Sequence, residues 1–178
     1  MSLLGAAEIR ELAAALDLKP SKSLGQNFVH DGNTCLKIVR TAGVQPDDVA
    51  LEIGPGLGSL TLAMMQEAKA VVVVEIDKRL ADQLPITAAK HSDNPEKLTV
   101  INKDALQIDA LPIDPTVLIA NLPYNVSVPV FLHMLEKFPT LRTGVVMVQA
   151  EVADRLAAVP STKEYGVPSV KAAWWADV

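Results

Sequence analysis

Cysteine is nearly absent from this 178-residue sequence. The single one, Cys35, excludes an intrachain disulfide and fits a reducing, cytoplasmic setting. Its place in a helical pattern makes it a small core residue. Long apolar runs are missing too: stretches such as 70–74 and 145–148 fall far short of the roughly 20 residues that cross a bilayer. The N-terminus intersperses Glu8, Arg10 and Glu11 among its apolar residues, so it lacks a continuous signal-peptide core. No membrane association is expected. His30, His91 and His133 have no metal-ligand spacing, and no metal is expected. Positive charge is also scarce. Lys and Arg number 16 against 21 Asp and Glu, a formal charge of −5, which is the reverse of the usual nucleic-acid binder.

That charge is uneven. Residues 1–40 carry five basic and four acidic side chains, and residues 41–102 carry five and nine. Any affinity for a polyanion must therefore be local or come from additional chain. Lys19, Lys22 and Lys163 are read as solvated lysines, with phosphate contact the less common alternative.

What the sequence does have is 49% apolar residues, enough for one domain with a real core, and an alternating order of elements. Residues 6–18 have helical spacing and 19–26 read as a loop. Asp31 is an N-cap for a helix that runs to about residue 42 and stops at Gly43. Strands are expected at 49–53, 70–74, 98–101, 117–120 and 145–148. Helices are expected at 59–68, 78–91 (bent at Pro85), 128–138 and 151–159. Met64 and Met65 read as helix packing. The tail 167–178 reads as a further strand, with Trp174 and Trp175 on opposite faces and one of them in the core. Such alternation predicts a mostly parallel sheet covered on both faces.

Polar residues stand where each strand ends: Gly54, Glu75, Asp104 and Asn121. In open α/β sheets ligands bind at the carboxyl ends of the strands, so the four are expected on one rim. Gly54, Gly56 and Gly58 lie in Glu52-Ile53-Gly54-Pro55-Gly56-Leu57-Gly58, which follows the first strand and opens a helix. Such glycines let backbone approach a nucleotide-like ligand closely. Glu75, about 20 residues later at the tip of the second strand, suits the two hydroxyls of a ribose. NAD and S-adenosylmethionine share an adenosine, so this pair fits both. The third glycine comes one position earlier than in a dinucleotide fingerprint, with Ser59 in its place, and leans towards S-adenosylmethionine. Asp104 is either an acceptor for an adenine amine or a turn cap.

Asn121-Leu122-Pro123-Tyr124 carries the most chemistry. An exocyclic adenine amine is a poor nucleophile because its lone pair is delocalised into the ring. Acceptors on its two protons draw the nitrogen towards tetrahedral geometry. The Asn121 side-chain oxygen is one such acceptor, and the Leu122 carbonyl, aimed by Pro123, is the other. Tyr124 offers a face for base stacking, worth ~1–3 kcal/mol. No strong base is needed, because the nitrogen becomes acidic once alkylated. A nicotinamide oxidoreductase is disfavoured by Ser59 and by the lack of an obvious acid–base residue. A non-catalytic RNA-binding assembly factor would have no use for amine-polarising acceptors.

With these residues in hand, the chain resembles the KsgA-type family of ribosomal RNA adenine N6-dimethyltransferases over residues 22–170. The resemblance rests on Leu24-Gly25-Gln26-Asn27-Phe28, the glycine turn, Glu75, Asp104-Ala105-Leu106, Asn121 to Asn125, Val148-Gln149-Ala150-Glu151-Val152 and Lys163-Glu164-Tyr165-Gly166. It implies a Rossmann-like class I S-adenosylmethionine-dependent methyltransferase fold, here lacking its last strand. Residues 1–30 would form an N-terminal helix and a loop admitting cofactor and RNA, and 31–178 the methyltransferase domain. The resemblance also implies Asn27, Val29 and Gly54 at the methionine end of the cofactor, Glu75 on the ribose, Asp104 on the adenine and Asn121 at the transferred methyl. The implied substrate is two adjacent adenines in a hairpin loop near the 3′ end of 16S ribosomal RNA, each methylated twice, with the small-subunit precursor as partner and the enzyme a monomer. Leu57 and Leu24-Gly25-Gln26 look more like this family than like the sibling Erm-type enzymes of large-subunit RNA. Family members continue past residue 178 with a further strand, a segment rich in Phe and Pro and a small helical domain. Activity of these residues alone is therefore not implied.

Overall fold

A computed structural model describes residues 2–18, 31–123 and 125–178. Among these residues five strands, β1 (Val49–Ile53), β2 (Ala70–Glu75), β3 (Leu98–Asn102), β4 (Val117–Asn121) and β5 (Thr143–Met147), form one sheet in the order β3-β2-β1-β4-β5. Every neighbouring pair is parallel. Among the described residues, seven α-helices accompany them: α1 (Ala6–Ala15), α2 (Gly32–Thr41), α3 (Ser59–Glu67), α4 (Lys78–His91), α5 (Ser127–Lys137), α6 (Ala150–Leu156) and α7 (Val167–Trp175).

Both faces of the sheet are covered, which is why its inner strands are mostly apolar runs rather than alternating, Glu52 in β1 being an exception. Val71, Val73, Val117 and Ile119 point to one core, shared with α2, α3, α4 and the Leu4 and Ile9 side chains of the N-terminal segment. Leu51, Val72, Val74, Leu118 and Ala120 point to the other, with Val130, Phe131 and Met134 of α5. Cys35, Met64 and Met65 are buried in the first core, as their helical spacing predicts.

Side-chain caps mark the starts of α2 and α4. Asp31 caps α2 by accepting the Thr34 N–H at 2.9 Å, and the left-handed Gly43 follows that helix, φ 66°. Asp77 caps α4, which runs without interruption through Pro85. The tail corrects the sequence reading. Residues 167–175 form a helix, and the strand expected from their Val and Trp content is not there. Pro168 lies in the first turn, where its missing N–H costs nothing. The Ser169 hydroxyl accepts the Gly166 N–H at 3.1 Å and donates to the Arg155 carbonyl at 2.6 Å, which anchors the start to α6. Ser169 and Ala172, three apart, face inward. Neither tryptophan enters the core: Trp174 is 78% and Trp175 48% exposed.

At the amino-terminal end of the sheet Asp48 is 4% exposed and ties three strands together. It accepts the Gln45 N–H at 2.6 Å and the Thr116 hydroxyl at 2.7 Å, and pairs with Arg142 just before β5. Burial opposes its charge, but the hydrogen bonds from Arg142 and Thr116 outweigh that and hold its carboxyl below the usual range.

Candidate active site at the carboxyl rim

The strand order reverses between β1 and β4, and in this topology the crevice outside that point receives the ligand. Gly54 leaves β1 there and Asn121 ends β4. A Cβ on Gly54 would lie in open space except for the Asn121 carbonyl oxygen at 3.9 Å. Gly54, Gly56 and Gly58 have φ of 69°, 57° and 95°, a left-handed path that residues with a Cβ avoid. The turn is pinned to β2 by the Gly54 N–H donating to the Val74 carbonyl at 2.9 Å. Gly58 has a second constraint, since a Cβ there would meet Leu84 of α4 at 3.0 Å.

Glu75, 5% exposed, closes the turn from the β2 side. Its Oε2 accepts the Gly56 N–H at 3.2 Å and its Oε1 the Asp77 N–H at 2.9 Å. Burial raises its pKa above the ordinary carboxyl value, with these two N–H donors working against the rise. Asp104, next along the rim, accepts the Leu106 N–H at 2.9 Å through Oδ1 and caps a 3-10 turn, Ala105–Gln107. Lys103 N–H donates to the Glu75 carbonyl at 3.1 Å, which keeps the β2 and β3 ends in step.

On the other side of the reversal, Leu122 is buried and its N–H donates to the Met147 carbonyl at 3.1 Å. The Pro123 carbonyl accepts the Val126 N–H at 3.3 Å in the turn that starts α5. Gly54, Gly56, Glu75, Asp104, Asn121, Leu122 and Pro123 thus share one edge of the sheet. Asn27, Val29 and Tyr124 lie outside the described residues.

Sequence reasoning assigned no role to Glu52, which lies beneath the glycine turn and is 2% exposed. Thr61 donates its hydroxyl to Oε2 at 2.5 Å. Burial pushes the Glu52 carboxyl up to about 8, against the Thr61 hydrogen bond and with help from the nearby Glu75 charge, so it holds a proton at neutral pH. The signal was a carboxyl inside an otherwise apolar strand. His91 and His133 have structural partners: His91 contacts Ser2 and Glu8, and His133 the Ile108 carbonyl.

The residues present fit an adenosine-bearing cofactor, because the turn offers backbone without side chains and Glu75 offers a carboxylate beside it. The five-stranded parallel sheet with this rim is a Rossmann-like α/β fold of the class I methyltransferase type, to which its solved relatives belong. A family model described as "Ribosomal RNA adenine dimethylase" matches residues 18–178, and the chain belongs to that family. Among its relatives, the "Ribosomal RNA small subunit methyltransferase A" of Streptomyces avermitilis is 59% identical over 99% of this chain and 61% of its own length. The protein of the same name from Corynebacterium diphtheriae is also 59% identical, over 99% of this chain and 60% of its own. A dimethyladenosine transferase from Plasmodium falciparum superposes with a TM-score of 0.70 at 28% identity, covering 79% of this chain and 50% of that one. The 23S rRNA methyltransferase ErmE gives 0.65 at 33% identity, over 74% and 51%. The chain spans about three-fifths of the length of the curated relatives it matches.

Proposed function

We propose that this chain is the cofactor-binding, methyl-transferring part of an enzyme that dimethylates N6 of two adjacent adenines in a 3′-terminal hairpin loop of 16S ribosomal RNA. The observation that carries the reading is the shared rim: Glu75 is hydrogen-bonded to the glycine turn, and the turn abuts the end of β4 at Asn121. Family membership and the small-subunit names of the relatives near 59% identity support 16S over an Erm-like 23S substrate.

Residues 31–178 form the methyltransferase domain, and 1–30 supply the N-terminal helix and the loop that admits cofactor and RNA. S-adenosylmethionine, when bound, supplies a methyl group on a sulfonium. Gly54 and Gly56 admit the cofactor against bare backbone, Glu75 accepts its ribose hydroxyls, and Asp104 accepts the adenine amine. Asn27 and Val29 serve the methionine end. The Asn121 side-chain oxygen and the Leu122 carbonyl accept hydrogen bonds from the N–H groups of the target amine, and Pro123 fixes that carbonyl's direction. Tyr124 stacks on the base. Holding amine and methyl in line supplies much of the rate, with effective molarities on the order of 10⁵–10⁸ M available from orientation. The partner is the small-subunit precursor in the cytoplasm, and the enzyme acts as a monomer. Among the described residues no helix is long and apolar enough to cross a membrane.

Asn121→Ala in the full-length protein is expected to lower methyl incorporation into undermethylated small subunits by about 100-fold or more, because a polar group aimed at the reacting atoms is lost. Cofactor affinity should change by less than about threefold. Normal turnover by that variant would overturn the assignment.

A further inference from the structure

Asp104, brought to the rim by the end of β3, is held from both sides. Upstream, the Asn102 side-chain amide donates to the Glu75 carbonyl at 2.8 Å and the Lys103 N–H to the same oxygen at 3.1 Å, which ties the approach to β2. Downstream, the 3-10 turn that Asp104 caps runs into Ile108, which is 3% exposed. The Ile108 carbonyl meets Nε2 of His133, on α5, at 2.9 Å. A carbonyl only accepts, so Nε2 carries the proton of that bond.

The helix that supplies His133 also borders the catalytic stretch. α5 opens from the turn in which the Val126 N–H donates to the Pro123 carbonyl, just beyond Leu122. Its Val130, Phe131 and Met134 side chains pack in one core with Ala105 and Ile108, so the 3-10 turn leans on the same helix that follows the end of β4. β3 itself is an outer, partly buried strand and fixes its end less firmly than β1 or β2. One helical turn past His133, Lys137 pairs with Asp109 at 2.8 Å, but that carboxylate is 75% exposed and such surface pairs hold little. The polar tie between turn and helix therefore rests on His133.

We propose that His133 is a positioning residue for the cofactor's adenine: its bond to the Ile108 carbonyl fixes the turn that aims the Asp104 carboxylate at the adenine amine. The inference rests on the functional reading above, in which Asp104 accepts that amine. The role asks only for an N–H donor where Nε2 stands. A glutamine amide can supply one, whereas an apolar side chain leaves a carbonyl in a buried segment without its donor. The ribose end depends less on His133, because Glu75 is met by backbone N–H groups of its own strand end and of the glycine turn.

The test is calorimetric titration of the full-length protein and its variants, well below each Tm, with S-adenosylhomocysteine and with its 6-deamino analogue, in which hydrogen replaces the adenine amine. His133→Ala is expected to raise the Kd for S-adenosylhomocysteine about five- to tenfold, part of what a lost hydrogen bond to a carboxylate costs, and that for the analogue less than about twofold. The preference for the amine thus narrows, which a general loss of stability would not produce. His133→Gln should recover most of it, and Lys137→Gln should leave both constants within about twofold. If His133→Ala does not fold, His133→Met, which refills the space without a donor, carries the same expectation. Unchanged S-adenosylhomocysteine affinity, equal losses for both ligands, a His133→Gln as weak as the variant without a donor, or the same narrowing in Lys137→Gln would overturn the proposal. A wild-type protein that bound both ligands equally would overturn the reading of Asp104 and this inference with it. A wild-type preference that survived the loss of the His133 donor would overturn this inference alone.

Discussion

The two ends of the sheet both bury carboxyl groups, and they treat them in opposite ways. At the amino-terminal end Asp48 meets a guanidinium, a hydroxyl and a backbone N–H, and its pKa falls. At the carboxyl end Glu75 and Glu52 are buried with fewer donors and no cation among the causes of their shifts, and their pKa values rise. The first arrangement is a lock between strands β1, β4 and β5. The second leaves the Glu75 carboxyl poorly solvated beside a left-handed glycine turn, which is unfavourable for the empty fold and would suit donors from the proposed cofactor. The direction of the shift thus distinguishes the two ends of the sheet, whereas burial is common to both.

The largest effect that sharpens this contrast is expected at the rim. Glu75→Ala should weaken S-adenosylmethionine binding roughly 100-fold or more, about 3 kcal/mol, because two ribose hydroxyls lose a charged acceptor. For wild type the affinity should fall as pH drops through the acidic range, starting above 4.5, since the raised pKa protonates the acceptor early. Glu75→Gln should flatten that dependence in the same titration.

Next in size is the lock. Asp48→Ala leaves Arg142 and Thr116 without their buried acceptor and should cost about 2–3 kcal/mol in urea unfolding. Cofactor affinity measured in the folded variant should change little. The sign of the pH effect is definite. A depressed folded pKa gives stability that is present above the unfolded value of 3.8 and lost as pH falls through the folded value. The wild-type advantage over Asp48→Asn should therefore disappear in acid. An Asp48 variant that lost cofactor binding while staying folded would break the division between the two ends.

Glu52 should behave in reverse. Between pH 4.5 and about 8 the unfolded chain ionises this group while the folded chain keeps it protonated, so its presence makes stability decline across that window. Glu52→Gln keeps an acceptor for Thr61 and should be more stable than wild type at pH 9 by on the order of 1–2 kcal/mol, a few degrees in Tm. Below pH 4.5 the difference should vanish. The smallest effect concerns the α1 terminus: Asp17 has φ 48°, so Asp17→Gly removes a left-handed Cβ and should gain about 1 kcal/mol or less in thermal unfolding.

The sheet and its rim were legible because strand ends and helix caps are local signals. The apolar runs at β1, β2 and β4, the Asp31 cap and the Gly43 stop are all written within a few residues, and alternation of strands and helices fixes the parallel order. The α7 helix was not legible. Its Val and Trp residues suit a pleated surface, and what overrides them is a hydrogen bond from Ser169 to Arg155, 14 residues away. The same reason hid the Asp48–Arg142 pair, 94 residues apart, and the His133 bond to Ile108, 25 apart: pairings across such separations leave no periodic trace. Glu52 was visible as a misfit in an apolar strand, but its protonation depends on burial that only the folded core supplies.

The strands also differ in how they are covered. β1 is buried along its whole length and β2 and β4 nearly so, whereas β3 and β5 are only partly buried. In amide hydrogen exchange the inner three should open only with the whole molecule, and the outer two through smaller excursions. Gly54, Glu75 and Asn121 therefore extend from the slowest-exchanging part of the chain, and Asp104 from a livelier one. A cofactor reaching from Asn121 to Asp104 would be anchored at its sulfonium end and would damp motion at its adenine end, so the protection it adds should be concentrated in β3.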